Sequence, residues 1–163
     1  MIGRERELDA FREGLARARL GRGTAFAVVG EPGIGKSRLI AEFADLATGP
    51  ATAMVGRAVE DGEPVAFRPL VEALLMGLRG APTPELAALG PFRPALGRLL
   101  PQCRDDDHRV EPSLTVLAEA VLRLLGVLAA DGCAVLVLED LHWADRETLD
   151  VVEFVADNLT DSP

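Results

Sequence analysis

The chain has 163 residues, 48% of them apolar, and a net charge of -9. That length suits a single domain with a real core, and the acidity argues against a nucleic-acid surface, which needs clustered lysine and arginine. The start, Met1-Ile2-Gly3-Arg4-Glu5-Arg6-Glu7, is too charged for a signal peptide, no stretch is long and apolar enough to span a bilayer, and Cys103 and Cys133 form no C-x-x-C pattern, so a reducing, cytoplasmic setting without membrane contact is expected.

Arg4 to Leu20 reads as an amphipathic helix with Leu8, Phe11, Leu15 and Ala18 in one stripe. Gly21-Arg22-Gly23 ends it. The apolar run Thr24 to Val29 then predicts a buried parallel strand. It leads into Gly30-Glu31-Pro32-Gly33-Ile34-Gly35-Lys36-Ser37, which fits the phosphate-binding pattern G-x-x-x-x-G-K-[ST]. Gly30, Gly33 and Gly35 are expected to take positive φ and bring successive N–H groups close to phosphate oxygens. Lys36 is the only lysine in the chain. Its ammonium suits the β- and γ-phosphates, and the Ser37 hydroxyl suits Mg²⁺. A helix from Ser37 to Ala47, striped with Leu39, Ile40, Phe43 and Leu46, adds the positive end of its dipole.

Thr48-Gly49-Pro50 breaks that helix, and Ala51 to Arg57 predicts a second strand. A charged loop from Val59 to Phe67 precedes a helix started by Pro69, with Leu70, Leu74, Leu75 and Leu78 on its stripe. Residues 80–110 read as a helical and irregular insert, rich in proline, with short helical pieces around Glu85 to Leu89 and Pro94 to Leu100. Within it, Asp105-Asp106-Asp107-His108 reads as a solvated acidic turn, because adjacent side chains seldom converge on one ion.

A helix is expected from Pro112 to Ala130, with a Glu119–Arg123 pair off its apolar stripe and Asp131-Gly132 after it. Cys133 to Leu138 predicts a buried strand ending at Glu139 and Asp140. A nucleotide hydrolase needs an acidic residue at such a strand end. Two adjacent carboxylates allow one to reach the metal through water and the other to orient the attacking water. By position Glu139 takes the first role and Asp140 the second, and the two roles are interchangeable on sequence grounds. Asp145 is placed to N-cap a last helix carrying Leu149, Val152, Phe154 and Val155.

Taken together these stretches resemble the AAA-like STAND ATPases. Ile2-Gly3-Arg4-Glu5-Arg6-Glu7-Leu8 is similar to their "VGRE" opening motif, Gly30 to Ser37 to their "GEPGIGKS" loop, and Val135 to Asp145 to their "VLVLEDLHWAD" signature. Such modules occur in large ATP-binding LuxR-type transcriptional regulators and beside some bacterial adenylate-cyclase domains. The resemblance implies an α/β fold, a P-loop NTPase-type three-layer α/β/α parallel sheet. It implies ATP and Mg²⁺ as cofactors, ATP/ADP as the bound partners, and self-association through the module as a further partner interaction. Ile2, Gly3 and Arg4 would lie near the adenine. Gly30, Glu31, Pro32, Gly33, Ile34, Gly35, Lys36, Ser37 and Arg38 would form the rest of the nucleotide site. Ser37, Glu139 and Asp140 would serve the metal, and Lys36, Glu139 and Asp140 the chemistry. His142 and Trp143 belong to the signature but are expected to pack or cap a loop.

The family pattern continues with a sensor strand and a helical lid, neither of which follows Pro163. The sheet is therefore expected to be incomplete, with a gap of about 10 Å where that strand would lie between its neighbours, and the chain to be the N-terminal part, residues 1–163, of such a domain. The function expected is Mg·ATP binding with slow hydrolysis, acting as a switch in a bacterial regulator, with no direct DNA contact from this segment. The alternatives are a non-hydrolysing nucleotide-binding module, a module coupled to a cyclase, a phosphotransferase using the same loop, and an interaction fragment that no longer binds nucleotide.

Overall fold

A computed structural model describes residues 4–47, 51–60, 65–79, 86–104, 112–129 and 132–159. Ile2, Gly3, the Asp105–His108 turn and the breaks at 48–50 and 131 lie outside the described residues. The elements in chain order are α1 (Glu5–Ala18), α2 (Lys36–Leu46), β1 (Ala51–Arg57), α3 (Arg68–Gly77), two 3₁₀ segments (Gly90–Arg98 and Pro101–Cys103), α4 (Leu114–Leu128), β2 (Cys133–Glu139), a 3₁₀ turn (Leu141–Trp143) and α5 (Arg146–Asn158).

Among the described residues the sheet has two strands, β1 and β2, running parallel. Their register sets Ala51 beside Cys133 and Arg57 beside Glu139. Parallel strands need a long crossover, and α3, the 3₁₀ segments and α4 supply it. Successive strand residues face opposite ways, so β2 serves two cores. Cys133, Val135 and Val137 pack with Leu15 of α1 and with Ile40, Phe43 and Leu46 of α2. Ala134, Leu136 and Leu138 lie against the larger cluster built from α3, the 3₁₀ segments, α4 and α5. Helices thus cover both faces, and this makes the fold α/β.

The larger core is anchored by leucines. Leu70, Leu74, Leu96, Leu100, Leu117 and Leu124 are fully buried, each stabilising the fold by about 1.5–3 kcal/mol relative to an exposed side chain. The start of α3 lies directly on β1, so that a Cβ on Gly56 would stand 1.8 Å from the Pro69 carbonyl oxygen. Only glycine fits there. Ser113 caps α4 by accepting from the Val116 N–H at 3.4 Å, and the Glu119–Arg123 pair forms at 2.8 Å. The insert forms 3₁₀ rather than α-helical turns over Gly90–Arg98, where Pro94 lies inside the segment and lacks the N–H an α-helix would use.

Three sequence expectations are corrected. Thr24 to Val29 is not a ladder strand: it joins no sheet among the described residues, and Val29 is 91% exposed. Its apolar run holds on by other contacts. Phe26 meets Phe11 edge-on at 5.1 Å, and Val28 leans on the Leu8–Phe11–Leu39 cluster. Thr24 Oγ1 is buried without a partner among the described residues. A strand needs at least one neighbour to satisfy its amides, and among the described residues none pairs with this run. In α5 the buried face is Thr148, Val151 and Val155, while Leu149 turns outward; Asp145 starts the helix at a phase that brings Thr148 inward. In α3, Leu75 is likewise exposed, and Pro69, Leu70, Ala73 and Leu74 form the buried face. No helix among the described residues is long and apolar enough to cross a membrane.

Candidate functional site

The loop before α2 has the geometry of an anion cradle. Gly33 and Gly35 take φ of 80° and 94°, and a Cβ on either would meet open space. The glycines are therefore required by backbone conformation and not by crowding. Gly30 departs from expectation. Its φ is not positive, and a Cβ there would press on Ile34 Cγ2 at 3.1 Å; the first glycine makes room for the loop's own isoleucine.

Gly35 is the N-cap of α2 and gives no side-chain cap, and the first turn carries no acidic residue. The opening N–H groups of α2 therefore keep their donor capacity, and the helix dipole adds partial positive charge. Lys36 Nζ donates to the Gly30 carbonyl at 2.8 Å and the Glu31 carbonyl at 3.0 Å. The ammonium thus folds across the loop onto acceptors that a phosphate oxygen can replace. Ser37 lies exposed beside it. Arg38 reaches Glu42 at 3.7 Å along the helix surface.

Arg4 ties the first helix to this loop. Its Nη2 donates to the Ile34 carbonyl at 3.2 Å and its Nη1 to Glu7 at 2.9 Å. The Glu7 carboxyl is held below its ordinary value by its own backbone N–H and then by the Arg4 guanidinium.

The second centre lies at the C-terminal ends of β1 and β2, where open α/β sheets place their ligands. Glu139 is almost buried on the same side of β2 as Val135 and Val137, the side covered by α1 and α2. Asp140 follows with φ of 57°. An aspartate in this left-handed region is uncommon and concentrates at functional turns. It opens the 3₁₀ turn, and its carbonyl accepts the Trp143 N–H at 2.9 Å. His142 and Trp143 stack obliquely at 4.9 Å on the surface, Trp143 being 41% exposed, so neither packs into the core.

Sequence reasoning missed Arg57. Its Nε donates to Glu139 Oε2 at 3.0 Å, its Nη2 pairs with the same oxygen, and Nε lies 3.6 Å from Asp140 Oδ2. The Glu139 hydrogen bonds, then its charge, raise the guanidinium pKa above the ordinary value, with Asp140 and Glu72 adding to the effect against some desolvation. The signal available was position: the last residue of a parallel strand beside the acid-bearing one.

Beyond the acid pair, Asp145 joins α5 to the loop before α3. Its Oδ1 accepts the Thr148 N–H at 2.9 Å, and its Oδ2 accepts the Phe67 N–H at 3.0 Å and the Thr148 hydroxyl. Thr148 Oγ1 also accepts the Phe67 N–H at 3.0 Å. Burial pushes the Asp145 carboxyl up, but these bonds together outweigh it and leave the group below its ordinary value.

The structure thus joins Arg4 to the loop and Arg57 to both acids. Among the described residues no hydrogen bond or ion pair joins the loop to the acid pair, and no three His, Cys, Asp or Glu residues gather as a metal nest. The uncapped helix end, the two left-handed glycines and the single ammonium fit a polyphosphate. The hydroxyl of Ser37 and the carboxylates of Glu139 and Asp140 are the hard oxygen donors that suit Mg²⁺.

Comparison with curated proteins and with solved structures finds no match for the chain. Comparison with protein families matches residues 1–163 to the AAA ATPase domain. With its whole length matched and its glycine loop opening a helix beside a small parallel sheet, the chain belongs to the AAA ATPase domain family, an AAA-type P-loop ATPase module.

Proposed function

We propose that this chain is the Mg·ATP-binding switch of a bacterial signalling regulator of the STAND type, with slow hydrolysis that resets the switch. The observation that carries the reading is the loop: two glycines at positive φ, an α2 N-terminus with no cap and no acid, and Lys36 folded over it. When bound, Mg·ATP supplies the triphosphate charge and the divalent ion that shields it. The residues of the chain do the rest. Lys36 exchanges the Gly30 and Glu31 carbonyls for phosphate oxygens. The amides at the start of α2 donate to the same charge. Ser37 offers its hydroxyl to the metal, and Arg4 holds the loop from behind through the Ile34 carbonyl. Glu139 serves the metal side and the half-exposed Asp140 the water.

The regulatory setting rests on the likeness of the Ile2–Leu8 and Val135–Asp145 stretches to those regulators. In that setting ATP and ADP favour different assembly states, and a ligand shifts such an equilibrium only through differential affinity. Self-association through this module and a cytoplasmic location belong to the same proposal. A second reading, nucleotide binding without turnover, is favoured by one observation: Arg57 engages both acids.

Separate measurements of ATP affinity and phosphate release test both. Lys36→Ala is expected to weaken ATP binding by about ten- to a hundredfold, the loss of hydrogen bonds to a charged partner. Unchanged affinity sinks the site. Micromolar binding with no phosphate release selects the second reading.

A further inference from the structure

Arg57 closes β1 level with Glu139 in the parallel register, and paired residues of a parallel ladder point to the same face. The guanidinium therefore meets the carboxylate directly, with two nitrogens on Oε2 and a reach of 3.6 Å to Asp140. The backbone beneath it is fixed, because its N–H donates to Glu72 Oε2 at 3.0 Å. One cation spans the two acids.

The two partners differ in freedom. The Glu139 side chain is 9% exposed and the Arg57 side chain 55%. A nearly buried carboxylate needs a counter-charge at all times. A half-exposed guanidinium on a long stem can turn into water at modest cost. The acid is the fixed partner and the arginine the movable one. A dication approaching Glu139 would find its Oε2 taken and a like charge a few ångströms away.

We propose that Arg57 is a resident counter-ion of the acid pair, displaced by the incoming divalent cation, so that Arg57 sets the magnesium concentration at which the site loads. This rests on the nucleotide site proposed above. Arg57 acts through Glu139 and is a positioning residue.

The test titrates the full chain with MgCl₂ at a fixed, subsaturating concentration of a fluorescent ATP analogue and reads the magnesium concentration for half-maximal binding. Magnesium capture by free nucleotide is the same for every variant, so differences belong to the protein. Arg57→Gln is expected to lower that concentration about three- to fivefold, the upper end of the scale for a partly exposed charge pair; an unchanged or higher value overturns the proposal. In a Glu139→Gln background the same substitution should shift it less than about twofold, as expected for partners that act as a unit. An equal shift in both backgrounds overturns it. Should Arg57→Gln fail to fold, Arg57→Lys replaces the fork with a point charge and should lower the value about twofold, and no shift overturns the proposal. Lys36→Ala separates the two levels. If it binds the analogue as the parent does, the site and the Arg57 proposal fall together. If it loses binding while Arg57→Gln moves nothing, the Arg57 proposal alone fails.

Discussion

Replacing Asp145 with alanine should remove the joint between α5 and the loop before α3. Two donors lose their acceptor, the Thr148 N–H and the Thr148 hydroxyl, and the Phe67 N–H loses one of its two. The lost N-cap costs about 1 kcal/mol. The remaining bonds, to a charged acceptor beside a fully buried Thr148, add about 1.5 kcal/mol, at the low end because Thr148 Oγ1 still accepts the Phe67 N–H. Phe67 sits at φ 61°, a left-handed conformation that costs a bulky residue about 1 kcal/mol and persists only while its surroundings enforce it. Part of the loss is recovered as that strain relaxes, so the net effect is about 2 kcal/mol, or a fall in Tm of about 4–8 °C for a chain of this size. Urea denaturation at pH 7 followed by far-UV circular dichroism measures it. Asp145→Asn keeps a cap acceptor and should lose about half as much. Because the folded carboxyl titrates below its ordinary value, its contribution is present above the unfolded pKa of about 3.9 and disappears as pH falls through the folded value. The gap between the parent and Asp145→Asn should therefore close below about pH 4. A loss under about 0.5 kcal/mol for Asp145→Ala, or a gap that stays constant down to pH 3, would refute the reasoning.

Two further outcomes follow from packing. Gly56→Ala places a methyl group on the backbone of Pro69 and Ala73, which cannot swing aside as a side chain can; it should cost about 3 kcal/mol or more, and a thermal melt close to that of the parent would show that α3 does not lie on β1 as described. Cys103 and Cys133 are both buried, and burial pushes the Cys103 thiol up, with Arg93 only partly offsetting it. Labelling by a thiol-reactive disulfide reagent at pH 7.5 should track unfolding for both, since the thiolate is the reacting form; immediate labelling without denaturant would contradict the burial of the Pro101–Cys103 turn or of β2.

Some of this protein follows from its residues in order. The turn from Gly33 to Lys36 is legible because positive φ, the missing cap and the single lysine are properties of neighbours along the chain. The same holds for β2 with its terminal acids, for Asp145 as a cap, and for the Glu119–Arg123 pair. Each depends on φ, on hydrogen bonds to the next turn, or on helical spacing, and none requires a distant partner.

Other features were settled by contacts far apart in sequence. Thr24 to Val29 has the composition of a strand, but a strand exists only beside another, and its hydrophobicity alone cannot supply one. On α3 the leucines Leu70 and Leu74 are buried and Leu78 packs on the core, and on α5 Val152, Phe154 and Val155 do so, while Leu75 and Leu149 stay exposed, a choice made by the neighbours each helix meets. Arg57 meets Glu139 across 82 residues of chain, a match set by strand register. Local chemistry wrote the phosphate loop and the acid pair into the sequence. Only the folding of β1 against β2 decided which cation those acids hold, since a one-residue slip in that pairing would send Arg57 to the opposite face.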